Sequence, residues 1–114
     1  MAATIQTNRL QKGLIKHVIT LGANNDAQAF QLPRVYSAGL DIRSSDFGGG
    51  TVAIQAAPNG TDYLALPTAV STTSTAIKSI AVADLGFVNY RAIITGATAP
   101  ATVTITIHAT ELPV

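Results

Sequence analysis

Acid–base or metal chemistry in this chain would have to rest on two histidines, His17 and His108, and six carboxylates, because it has no cysteine. Zinc sites take about three or four protein ligands, and two histidines alone do not make one. Glu111 stands three residues after His108. That spacing puts two side chains on one face only in a helix, and the residues before Glu111 read as a strand. Asp41 with Ser44 or Ser45 and a histidine would complete the inventory of a hydrolytic triad. A triad is a geometry and not an inventory, and the sequence shows no strained nucleophile elbow or oxyanion loop. Asp41, Asp46 and Asp62 fall near loops, but Ca²⁺ takes about six to eight converging oxygens and Asp41-x-x-x-x-Asp46 supplies two carboxylates. Asp46-Phe47-Gly48 spells the metal-binding tripeptide of kinases without the other kinase motifs. Gly48-Gly49-Gly50 lacks the Lys-Ser/Thr and the helix that a phosphate loop requires. Asn59-Gly60-Thr61 fits a glycosylation acceptor, but Asn-Gly is first a tight-turn signal. The expectation is a protein with no catalytic residues, no metal and no cofactor.

Binding is the better-supported chemistry. Tyr90-Arg91 lies inside a strand-like run, and Tyr and Arg are enriched at interface hot spots. Arg91 could equally pair with an acid such as Asp84 or Asp41. Arg9 and Lys12, with Lys16, precede every acidic residue, so the start of the chain is mildly positive. These four, Arg9, Lys12, Tyr90 and Arg91, are the candidate partner-binding residues.

The elements that would position them follow from composition and period. Only 11% of the 114 residues are charged, against 47% hydrophobic and 5% aromatic, and the net charge is +1. Ordinary domains have about 25% charged residues. The outer surface must therefore be built largely from Thr, Ser, Ala, Asn and Gln, which suits a protein packed against neighbours. A net charge near zero without clustered Lys/Arg excludes binding through a basic face, so no nucleic acid is expected. No apolar run is long enough to span a bilayer. The start lacks a charged-then-apolar leader, so synthesis in the cytoplasm is expected. A chain of this length predicts one domain.

Residues 1–13 are polar and aperiodic and read as an extended arm, followed by one domain over 14–114. Residues 14–21 are rich in branched side chains, as strands are. Residues 22–26 are a turn cluster, and 29–32 a short strand ended by Pro33. Residues 35–43 and 51–57 alternate, and 58–62 form a turn back into 63–66. Residues 67–76 read as a Ser/Thr-rich connection, 77–82 as a strand with a short helix over 76–84 as its rival, and 85–95 as containing the next strand. In 101–109, Val103, Ile105 and Ile107 face one way and Thr102, Thr104, Thr106 and His108 the other, a period of two that no helix fits. About eight short strands between turns predict an all-β protein: a single antiparallel β-sandwich, jelly-roll or immunoglobulin-like.

The run Gly50-Thr-Val-Ala-Ile-Gln-Ala-Ala-Pro-Asn-Gly-Thr-Asp-Tyr-Leu64, then Tyr90-Arg91, Gly96 and Val103-Thr-Ile-Thr-Ile107, resembles the small all-β virion proteins of tailed bacteriophages over roughly residues 48–109. It departs from them where Tyr63 replaces a tryptophan often found after the turn. The resemblance implies a non-enzymatic structural role on the capsid exterior, as a decoration or cement protein bound to the major capsid protein, and self-association as a trimer or dimer. The alternatives are a tail or head–tail connector component, or a carbohydrate-binding sandwich.

Overall fold

The computed structural model describes residues 3–11, 13–98 and 101–111. Nine strands account for most of them: β1 (Thr4–Gln11), β2 (Leu14–Leu21), β3 (Ala27–Gln31), β4 (Val35–Arg43), β5 (Thr51–Ala56), β6 (Leu64–Thr72), β7 (Ala76–Ile80), β8 (Asn89–Thr95) and β9 (Val103–Glu111). A 3-10 segment, Val82–Phe87, joins β7 to β8.

The strands form two antiparallel sheets, ordered β1-β2-β9-β4-β7 and β3-β8-β5-β6. The pairings nest: β2 with β9, β3 with β8, β4 with β7, β5 with β6. One long antiparallel ribbon is thus rolled so that β9 also lies on β4 and β8 on β5. This is the order of a jelly roll, with β1 added to one edge. The all-β sandwich expected from the alternating runs is present.

Period-two alternation builds the core. Along β2 and β5 every second residue is buried, and β9 turns Val103, Ile105, Ile107 and Ala109 inward. Ile19, Ile105 and Ile42 lie side by side across β2, β9 and β4 and have no exposed surface. Phe30, Phe47 and Tyr90 are buried in this core. Phe30 stacks on Tyr90 with centroids 5.6 Å apart, and His17 lies 5.8 Å from Phe30.

Three expectations change. Residues 4–11 are extended but are not a free arm: they pair with β2 from Thr4↔Thr20 to Arg9↔Ile15. Gly13, at φ +85°, closes that hairpin, and a tight reversal there needs the left-handed freedom of glycine. Local polarity hid this strand, because Ile5 packs partly against the core while Gln6, Thr7, Asn8 and Arg9 beside it are polar and exposed. The Ser/Thr-rich segment 67–76, expected as a connection, continues β6 to Thr72 and opens β7. Within β6 the pairing to β5 jumps from Ala65 to Val70. Asp84 holds the excursion by accepting the Thr68 amide at 3.0 Å. Residues 76–84 split between a strand and the 3-10 segment, whose Asp84 carbonyl accepts from the Tyr90 hydroxyl.

Gly50 marks a close approach. A Cβ there would meet the Thr95 carbonyl oxygen and the Ala97 Cβ at 3.0 Å and the Ile94 Cγ1 at 3.1 Å. Backbone cannot swing aside as a side chain does, so Gly50→Ala is expected to cost about 1–3 kcal/mol as an overpacking change. A lower urea midpoint with unchanged slope checks it.

Candidate partner-binding surface

The two histidines point to opposite sides of one sheet. His17 pairs with Ile107 and faces inward, whereas Lys16 and His108 share the outer row. His108 is exposed. His17 lies between the layers, with Nε2 3.2 Å from the Gln31 carbonyl oxygen and Nδ1 2.8 Å from the Thr7 hydroxyl oxygen. A carbonyl only accepts, so Nε2 carries the proton and Nδ1 accepts from Thr7. The ring is thereby a neutral clamp between β1, β2 and β3.

Burial pushes the His17 pKa below its ordinary 6.5, against a smaller upward pull from the Gln31 carbonyl. The unfolded chain therefore takes up this proton first as pH falls. The contribution of the neutral ring to stability is intact above 6.5 and is lost as pH drops from there through the lowered folded value. Melting at about pH 7.5 and about pH 5 is expected to show this loss in the native protein and a smaller one in His17→Gln. Equal losses would refute it.

The paper triad is dispersed. Asp41 is held by Arg43 at 2.9 Å, and the Ser44 hydroxyl donates to the Thr102 carbonyl at 2.6 Å. Glu111 pairs with Arg9. Among the described residues no three of His, Cys, Asp and Glu converge as metal ligands would.

The four candidate binding residues fare differently. Lys12 lies outside the described residues. Arg9 is an exposed side chain near the end of β1, but it is engaged by Glu111 of β9 and so helps fasten β1 to the sheet. Tyr90 is not a surface residue: it has no exposed area, and its hydroxyl donates to the Asp84 carbonyl at 2.7 Å. Burial also raises its pKa above 10.0, keeping the phenol a donor. The signal was in the sequence. Tyr90 and Arg91 are neighbours in a strand, so they face opposite sides, and Tyr90 shares its parity with Ala92 and Ile94, both buried.

Arg91 does face out, but pairs with neither Asp84 nor Asp41. Its Nε donates to Gln55 Oε1 at 2.7 Å, and its guanidinium carbon lies 4.5 Å from the centroid of the Tyr63 ring. Gln55 stands opposite Arg91 on β5, as Ala29 does on β3. Tyr63 comes from the turn after β5, which is shaped by Asn59 accepting the Thr61 and Asp62 amides at 3.0 and 2.9 Å. Neither Gln55 nor Tyr63 was singled out as a binding residue. Only the pairing of β5 with β8 brings Gln55 within reach.

The two outer sheet faces differ in charge. On the five-stranded sheet the outer row Thr4, Thr20 and Thr104 ends on Arg43 of β4, and the neighbouring outer rows carry Asp41, Lys16 and His108. On the four-stranded sheet Ala27, Ile93, Ala53 and Ser71 form one row, and Ala29, Arg91, Gln55 and Ala65 the next. Arg91 is the only charged residue in those four strands.

No family model and no curated protein sequence matches the chain. Among solved structures it is similar to the cupin domain of Schizosaccharomyces pombe Cnp3, with a TM-score of 0.51 and 9% identity over 96% of this chain and 65% of that one. A putative mannose-6-phosphate isomerase from Ralstonia eutropha aligns with a TM-score of 0.45 and 14% identity, over 96% of this chain and 85% of that one. At 9% identity the likeness to the Cnp3 domain is one of fold, a β-sandwich of two antiparallel sheets.

Proposed function

We propose that this protein is a structural component of a tailed-bacteriophage virion, a decoration protein that docks on the capsid exterior and stabilises the lattice of the major capsid protein. The observation that carries the reading is the nearly uncharged outer face of the four-stranded sheet, rows of Ala with Ile93, Ser71 and Gln55 around a single cation. Faces of short uncharged side chains lose little hydration and little side-chain entropy when covered. The sequence resemblance to small all-β virion proteins points the same way. The mechanism is contact area: a rigid sandwich bridging adjacent subunits adds interactions that must break before the shell can part. Self-association as a trimer or dimer is part of the proposal, since closed symmetry is the usual form of such assemblies.

Quantitative mass spectrometry of purified particles from the protein's source, against the major shell protein, tests this. Copies in the hundreds per particle are expected for lattice decoration, as an order of magnitude. A handful would place the protein in the tail or connector instead. Its absence from particles would end the virion reading.

A further inference from the structure

We propose that Arg91, braced by Gln55 and Tyr63, is the anchor for a carboxylate side chain of a protein partner that docks on the outer face of the four-stranded sheet. The inference rests on the reading above in taking the occupant to be a protein, and adds the chemistry that recognises it.

Charge complementarity selects the occupant. Arg91 is the sole charge in β3, β5, β6 and β8, so the face presents one cation on a floor of Ala29, Ala53, Ala65 and Ile93. The chain's acids are committed elsewhere. Asp41 and Glu111 pair with other arginines, Asp26 accepts the Gly22 and Ala23 amides, Asp62 is held by Asn59, and Asp84 is buried on Thr68. Asp46 accepts the Gly48 amide. The guanidinium therefore has no carboxylate of its own among the described residues.

Its geometry is also fixed in advance. The Gln55 bond occupies Nε, and the guanidinium carbon rests 4.5 Å from the Tyr63 ring centroid. The two terminal nitrogens remain as an end-on fork, which matches the two oxygens of a carboxylate. An arginine already immobilised loses little further entropy when it binds, a feature of interface anchors.

The same charge argues against other occupants. A second copy packed face to face about a two-fold axis would offer Arg91 no acid from these four strands, because they contain none. A nucleic acid needs clustered cations, and this face has one. A carboxylate flanked by small uncharged side chains satisfies both the fork and the flat floor.

The test has two arms. In the first, the ¹⁵N-labelled protein is titrated with the capped peptide Ala-Glu-Ala, with Ala-Gln-Ala as control. The glutamate peptide is expected to shift the Arg91 Nε–Hε signal and the amides of β5 and β8, while leaving the Arg9 and Arg43 side chains unmoved. Shifts equal to those of the glutamine peptide, or spread over all arginines, would overturn the anchor. In the second arm, native protein, Arg91→Lys and Arg91→Gln are added back to source particles stripped of it. Arg91→Gln is expected to weaken association about tenfold or more with an unchanged melting temperature, and Arg91→Lys to recover only part of it. Association of Arg91→Gln equal to native would overturn the anchor. Failure of the native protein to associate, with selective peptide shifts retained, would sink the virion reading and leave the anchor standing.

Discussion

Tyr90→Ala is expected to cost about 3–5 kcal/mol, the largest loss from any single substitution in this chain. Tyr90 is the largest fully buried side chain and stands in β8, between β3 and β5. Truncation removes the end of the aromatic row that runs from His17 through Phe30 to Tyr90 and leaves Phe30 without its stacking partner. It also strips the Asp84 carbonyl of its phenol donor. That carbonyl belongs to the 3-10 segment whose Asp84 side chain supports the β6 excursion at Thr68. The damage therefore spreads from the core to an edge strand. Tyr90→Phe separates the two components. It keeps the ring and removes only the hydroxyl, so it is expected to cost about 1–3 kcal/mol, the range for a buried acceptor left unpaired. Equilibrium urea unfolding of both variants checks the order. If Tyr90→Phe lost as much as Tyr90→Ala, packing would not be the larger part. A domain of this kind has a total stability of about 5–15 kcal/mol, so Tyr90→Ala threatens folding itself.

Ile105→Ala comes next, at about 2–5 kcal/mol. β9 is the central strand of the five-stranded sheet, hydrogen-bonded to β2 on one side and β4 on the other. Ile105 projects from it with no exposed area, between Ile19 and Ile42. Neither neighbour can move in to fill the void, because each is fixed in its own strand register. The cavity cost is then added to the lost transfer free energy. Ile77→Ala supplies the contrast. The residue type is the same and it is also in this sheet, but Ile77 is 83% exposed on the edge strand β7. A surface change of this kind is expected to stay within about 0.5 kcal/mol. Similar losses from the two isoleucines would contradict the assignment of the inner face.

These two predictions show how far local pattern reaches. The inward set of β9 was readable because Val103, Ile105 and Ile107 alternate with threonines, and the hairpin between β5 and β6 because Asn59-Gly60 announces a turn. Alternation also implied that Tyr90 and Arg91 face opposite ways, which makes one of them core and the other surface. The 3-10 segment was half visible, since residues 76–84 satisfied neither a full strand nor a full helix.

The sequence by itself determined the class, the faces and the low surface charge: an all-β chain whose period of two sorts each strand into an apolar and a polar side, with 11% charged residues to spread over the outside. Tertiary structure alone decided the strand order, the capture of residues 4–11 by β2, and the company kept by Arg91. The strand order and the surroundings of Arg91 depend on pairing between segments far apart in the chain, as Arg91 with Gln55 or Leu14 with Thr110, and the β1 hairpin has no apolar alternation to mark it. Alternation reports which side of a strand a residue occupies. It carries no information on which strand lies alongside, because backbone hydrogen bonds are the same whatever the sequence that makes them.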